Sequence, residues 1–201
     1  MGISMTLARS LVAVAAALLL TACLPVTTKV PVGTTVGFKP DPTLLGTWRA
    51  RDKDEDEISY LHFLGKEDGS MTVLVVTPPH GTHLGEWSQY DLRVATLGAN
   101  HYINAQEVTV NGKTSADNPF AKQSIMLMYR MGSRSTIHLY TMDDKAAAAA
   151  IRAHEIAGDI EPGQDGDVHI TADEPALDAF MRTSRAAAMF SKPLIAMTRV
   201  D

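Results

Sequence analysis

Cysteine, histidine and serine are the residues here whose types and spacing could do chemistry. The chain has one cysteine, Cys23, which ends Leu20-Thr21-Ala22-Cys23 behind an apolar run. Two of its seven histidines fall three apart in the Pro/Gly-rich His80-Gly81-Thr82-His83. Zinc needs three or four ligands converging tetrahedrally. His62 or His101 could join that pair only through the fold, so solvated loop histidines and no metal site are expected. Asp52-Lys53-Asp54-Glu55-Asp56-Glu57 begins like a calcium loop. The glycine needed at its sixth position is Glu57, and the chelating glutamate at its twelfth is Phe63. The run reads as a solvated acidic turn. Ser70, Ser88, Ser124 and Ser133 all lie outside a Gly-x-Ser-x-Gly elbow. Alternation could point the strand residues His62 and His138 inward, as hydrogen-bonded core histidines. There is no phosphate-cradling glycine loop or dinucleotide fingerprint. No catalytic residue and no cofactor are assigned.

Leu20-Thr21-Ala22-Cys23 resembles the lipobox of bacterial lipoproteins. The resemblance implies cleavage before Cys23, thioether attachment of a diacylglyceryl group to its sulfur, and palmitate-labelled acyl chains holding the protein to a membrane. Residues 1–22 have the parts of a signal peptide. Arg9 is the only charge before Cys23, and Leu11 to Leu20 is a ten-residue apolar run. That length suits a signal-peptide core and falls short of the roughly 20 residues that span a bilayer. Each acyl chain contributes about 0.8 kcal/mol per buried CH₂. In the lipoprotein family, Asp after the cysteine often retains a protein at the inner membrane. Leu24 stands there instead, which implies the outer membrane, facing the periplasm.

Removing residues 1–22 leaves 179 residues with 17 basic and 23 acidic side chains. No basic patch stands out, so nucleic acid is not an expected partner. With Cys23 lipidated no disulfide is possible, and the domain must rely on core packing. Residues 23–42 mix Pro, Gly, Thr and Val without a period and read as a lipidated cysteine followed by a flexible tether. Residues 43–201 read as a single β-rich domain.

Strands are expected at Thr47–Ala50, Ile58–Leu64, Met71–Thr77, Glu86–Thr96, Tyr102–Val110, Ser124–Met131 and Thr136–Met142. Asn111-Gly112 is a strong turn signal. From about residue 143 the pattern becomes helical. Asp143 or Asp144 can cap an alanine-rich helix running to about Ala157, with Gly158 as its stop. Val168-His169-Ile170 reads as a short strand. Thr171-Ala172-Asp173-Glu174 matches a capping box before Pro175, with Leu177, Phe180 and Met181 on one helical face. The fold class is therefore mainly β with C-terminal helices: an antiparallel barrel or strongly curved meander of about seven to eight strands.

Gly46-Thr47-Trp48, at the first strand, resembles the Gly-x-Trp signature of lipocalins and their calycin relatives. The resemblance covers about residues 40–142. It implies that Trp48 closes one end of a barrel and packs under an arginine from a late strand, either Arg130 or Arg134. The chain departs from that family in lacking a Thr-Asp-Tyr motif and in its C-terminal helices. As a whole it is also similar to small bacterial lipoproteins.

In such a barrel Tyr60, Trp87, Tyr90, Tyr102, Met126, Met128 and Tyr129 could line an interior able to take an apolar ligand. The expected function is a membrane-anchored, non-catalytic binding module for a small apolar ligand or another envelope component. The alternative is a filled-core protein that acts through surface contacts with envelope proteins. A periplasmic hydrolase ranks third.

Overall fold

Period-two patterning becomes a closed ring of strands. The computed structural model describes residues 25–51, 57–82, 84–114, 123–162 and 167–200. Cys23, His83 and residues 52–56 lie outside them. After the two-residue β1 (Thr27–Thr28) comes an antiparallel meander of β2 (Gly46–Arg51), β3 (Ile58–Gly65), β4 (Met71–Thr77), β5 (Glu86–Leu97) and β6 (Asn100–Val110). Asn111 and Gly112 both take positive φ, 49° and 76°, and turn β6 into β7 (Lys113–Thr114). This is the turn that an Asn-Gly pair favours. β8 (Ser124–Ser133) and β9 (Thr136–Thr141) make the next hairpin. Then come α1 (Asp144–Arg152), β10 (Gly158–Ile160), β11 (Val168–Ile170), α2 (Glu174–Met181), α3 (Ser184–Ala188) and β12 (Pro193–Arg199).

β12 pairs with both β9 and β2, and β6 pairs with β8. The strands β2, β3, β4, β5, β6, β8, β9 and β12 therefore close an eight-stranded antiparallel barrel. The architecture is mainly β with C-terminal helices, as the patterning indicates. β12 is an addition to the sequence reading, which ends on helices.

Local signals set the helix ends, with two corrections. Asp143 accepts a hydrogen bond from Ala146 N at 2.8 Å and caps α1. α1 stops at Arg152 rather than near Ala157, because His154 turns to φ +56° and Glu155 N donates back to Ala150 O. α2 is capped by Asp173, not Thr171, with Pro175 in its first turn. Thr171 N is held by Ala157 O at the end of the β10–β11 pair, so no capping box forms there.

Two apolar cores result, one on each side of the barrel wall. The inner one holds Trp48, Leu61, Phe63, Val73, Leu92 and Ile137, among others. The outer one lies between the outward face of β6 and β8 and the helices. Tyr102, Met126 and Met128 of the wall meet Leu177, Met181 and Phe190 there. Tyr102 and Phe190 pack edge-on at 5.9 Å, and the Tyr102 hydroxyl donates to Met181 O.

From residue 25 onward, the segment expected to be a flexible tether is instead part of the domain. β1 pairs with β8 and β11, and Val26 and Val32 are buried in the outer core. The chain then crosses the outside of the barrel as a strap. Val32 N donates to Asn104 Oδ1, while Asn104 Nδ2 donates to Val32 O and Arg93 O. The fully buried carboxylate of Asp178, on α2, accepts from Gly33 N at 2.6 Å, Thr35 N at 2.9 Å and the Thr35 hydroxyl at 2.5 Å. Composition alone reads this segment as coil because its partners lie 72 and 145 residues away.

Gly33 fits this crossing because it has no side chain. It sits at φ +94°, and a Cβ there would fall 2.0 Å from Ala95 Cβ. Gly37, at φ +80°, has nothing within 4 Å of that position. Gly37→Ala should therefore cost only the backbone term of about 1–2 kcal/mol. Gly33→Ala should add about 1–3 kcal/mol of overpacking. Urea unfolding of the two variants measures the difference; equal losses would mean that the strap does not press on β5.

Candidate functional site

The barrel interior is sealed at one end by residues from both ends of the domain. Trp48, on β2, is fully buried, and its indole N–H donates to Leu44 O at 2.7 Å. Above its ring lies the guanidinium of Arg199, with Cζ 4.4 Å from the centroid. Stacking uses the face of the guanidinium and leaves its planar N–H fork for acceptors. That fork donates to Leu45 O at 2.8 Å and Thr43 O at 2.7 Å. Gly46 makes room for it, since a Cβ at Gly46 would stand 3.0 Å from Arg199 Nη1.

Arg199 is therefore the arginine over Trp48, in place of Arg130 or Arg134. Arg130 lies over the Tyr140 ring at 4.8 Å. Arg134 is exposed between β8 and β9.

A second contact locks the same end. Tyr129 points inward from β8 and donates to Asp41 Oδ2 at 2.5 Å. Asp41 Oδ1 accepts from the backbone and hydroxyl of Thr43. Burial alone would raise the Asp41 carboxyl, but the bonds from Tyr129 and Thr43 outweigh it and hold the pKa below its ordinary 3.8. Burial raises the Tyr129 phenol, and bonding to the Asp41 carboxylate raises it further.

Beyond this seal the interior narrows to an apolar cavity of about 50 Å³. Its walls include Phe63, Val75, Leu92, Ile125, Leu127 and Leu139. Tyr90 brings the only side-chain heteroatom among the residues that line it. Burial, then the nearby charge of Glu107, pushes the Tyr90 phenol up to about 12, so its hydroxyl stays protonated.

The wall divides the seven residues expected to line a ligand cavity. Tyr90 lines it, and Tyr129 faces the interior but is spent on the seal. Tyr102, Met126 and Met128 face outward and are buried under the helices. Tyr60 is half-buried on the outer side of β3, alternating with the inward Leu61 and Phe63. Trp87 is 39% exposed on β5. Most of the lining is instead aliphatic, from alternate positions that the aromatic and methionine pattern does not single out.

Three of the histidines, His62, His101 and His138, stand on barrel strands. His62 and His138 are half-buried on the outer side, out of phase with inward Leu61 and Ile137, so neither points inward. His62, His101 and His169 each bond a threonine hydroxyl through Nδ1. Among the described residues no three His, Cys, Asp or Glu side chains are grouped to hold a metal ion. No family model, curated protein or solved structure matches the chain.

Trp48→Ala should destabilise the protein by about 3–5 kcal/mol. Arg199→Lys keeps the charge but loses the planar fork, and should cost about 1–3 kcal/mol. Urea midpoints measure both, and a loss below about 1 kcal/mol for Trp48→Ala would remove it from the seal.

The Asp41 carboxyl is depressed in the folded state. Its stabilisation is therefore present above the unfolded pKa and lost as pH falls through the lower folded value. Tyr129→Phe deletes a bond that lowers this pKa, so its stability should fall less steeply than wild type as pH drops below the ordinary 3.8 of an aspartate. Parallel curves would show that Tyr129 does not favour the charged carboxylate.

Proposed function

We propose that the chain is a membrane-anchored envelope lipoprotein whose barrel is a non-catalytic binding module for a small apolar ligand. The observation that carries the binding role is the unfilled apolar cavity inside a closed barrel with one sealed end. Its volume exceeds the roughly 10–15 Å³ that a single water needs, and apolar cavities stay dry. It is well below the 300–1,000 Å³ of ordinary ligand pockets. So small a space admits only the end of a ligand, which favours the tip of a straight hydrocarbon chain over a fused ring system. The Tyr90 hydroxyl is engaged with Ser88, so the walls meet such a chain with almost nothing but hydrocarbon.

The anchor is read from the likeness of Leu20-Thr21-Ala22-Cys23 to a lipobox, and the outer-membrane, periplasm-facing location from Leu24. Pro25 and Val26 are already buried in the domain. Only Leu24 separates Cys23 from Pro25, and a chain spans at most about 3.6 Å per residue. The lipid on Cys23 would therefore hold the barrel close against the membrane.

The second reading, a filled-core protein working through its surface, is favoured by the small volume of the same cavity. It is also favoured by exposed apolar side chains at Leu84 and Trp87.

Titrating 1-decanol into the methyl-labelled full chain should shift the resonances of Val73, Val75, Leu127 and Leu139. Ala105→Phe, which fills the cavity, should weaken that binding at least tenfold, or about 1.4 kcal/mol. Shifts confined to the outer surface, or binding indifferent to Ala105→Phe, would favour the surface reading. For the anchor, Cys23→Ala should leave an unprocessed precursor and abolish palmitate incorporation. Unchanged labelling would overturn it.

A further inference from the structure

A second concavity, of about 520 Å³, lies on the outer wall of the barrel beside the strap. It falls within the size range of small-molecule sites, and its chemistry is the opposite of the interior's. Its residues run from the start of β8, across β6 and β5, to the β3–β4 turn. Strands lie about 4.8 Å apart, so this span is about 15 Å, a groove rather than a pit. Both sides are held in place. Asn104 is fully buried and spends its amide on Val32 and Arg93, while Asp178 grips Gly33 and Thr35. A ligand would therefore meet a largely preorganised surface, which lowers the entropic cost of binding.

Three kinds of group face this space. Gln106, Gln123 and Ser124 supply amides and a hydroxyl, which can donate and accept at once. Pro31 and the half-buried Phe38 supply apolar surface from the strap. Lys29, Lys66 and Arg93 outnumber Asp68 and Asp91, in a chain whose formal net charge is −5. Both carboxylates are engaged within the protein. Asp91 takes Lys66 at 2.7 Å and the Thr72 hydroxyl, and Asp68 holds the backbone and hydroxyl of Ser70. The exposed Lys29 and Arg93 then set the sign of the groove. Arg93 stacks on Phe38 at 5.4 Å from the ring centroid. As at Arg199, stacking occupies the guanidinium's face and leaves its in-plane donors for an acceptor.

Hydroxyl-binding amides, a small apolar wall and excess positive charge match the surface of a sugar ring that carries an acidic group. We propose that this groove binds an anionic saccharide, with its hydroxyls on Gln106, Gln123 and Ser124 and its carboxylate or phosphate on Arg93 and Lys29. The assignment is independent of the barrel cavity and of the anchor. A nucleic acid or protein partner is not needed to explain any of these groups.

The test is an NMR titration of the ¹⁵N-labelled full chain in neutral detergent, with four probes. Digalacturonate and glucose 1-phosphate carry the two anionic forms, cellobiose is a neutral saccharide, and inorganic phosphate is a bare anion. At least one anionic sugar should shift the amides of Ser70, Arg93 and Ser124. It should bind at least tenfold more tightly than cellobiose or phosphate, and the tighter of the two sugars identifies carboxylate or phosphate as the anchor. Arg93→Gln should weaken that binding at least tenfold while leaving amides outside the groove unmoved. Failure of both anionic sugars would overturn the proposal. So would phosphate binding as tightly, which would mark an adventitious anion site, or binding indifferent to Arg93→Gln.

Discussion

Closure of the ring between β2 and β12 is the constraint on which the rest of the molecule depends. These strands are the first and last of the barrel, and their pairing matches Trp48 with Arg199. The same two side chains stack to seal one end, and Arg199 ties down the carbonyls of Thr43 and Leu45. Closing the ring gives each barrel strand two neighbours along much of its length, which removes the open edges that sheets otherwise expose. The wall can then face inward with mostly apolar side chains, because its backbone donors and acceptors are satisfied within the sheet.

The strap and helices solve a different problem. A barrel strand with apolar residues on both faces cannot leave its outer face in water. β8 carries Ile125 and Tyr129 inward and Met126 and Met128 outward, and the outward pair needs a cover. The helices between β9 and β12 supply it, with β1 and the strap alongside. Asp178 and Asn104 hold the strap through charge-assisted and amide hydrogen bonds to its backbone, which are stronger or more specific than packing alone. With one cysteine in the chain, an intrachain disulfide cannot do this work. The strap also creates the polar groove, so one segment both covers a core and builds a surface.

Much of this fold was legible from alternation. The meander, the Asn111-Gly112 turn and a helix cap at Asp143 or Asp144 follow from local rules, and the burial of Trp48 follows from the Gly-x-Trp resemblance. The departures at the tether, Arg199 and β12 share one physical cause, which is partners far away in sequence. Arg199 lies 151 residues beyond Trp48, outside any motif. β12 follows two helices and begins at Pro193, where local pattern gives no reason to expect a closing strand. The ligand-lining set was split because parity assigns residues to two faces without saying which face is the interior. On β8 both faces are buried, so Met126 and Met128 looked as suitable as Ile125 and Leu127.

Native mass spectrometry of the full chain, released gently from its own membrane, tests most directly whether the barrel interior is a binding site. The account predicts a reproducible adduct of one organic-extractable, uncharged, straight-chain molecule per protein, absent from the Ala105→Phe variant. An apo mass alone, or an adduct that persists in Ala105→Phe, would contradict it and leave the barrel as a filled scaffold for its outer surface.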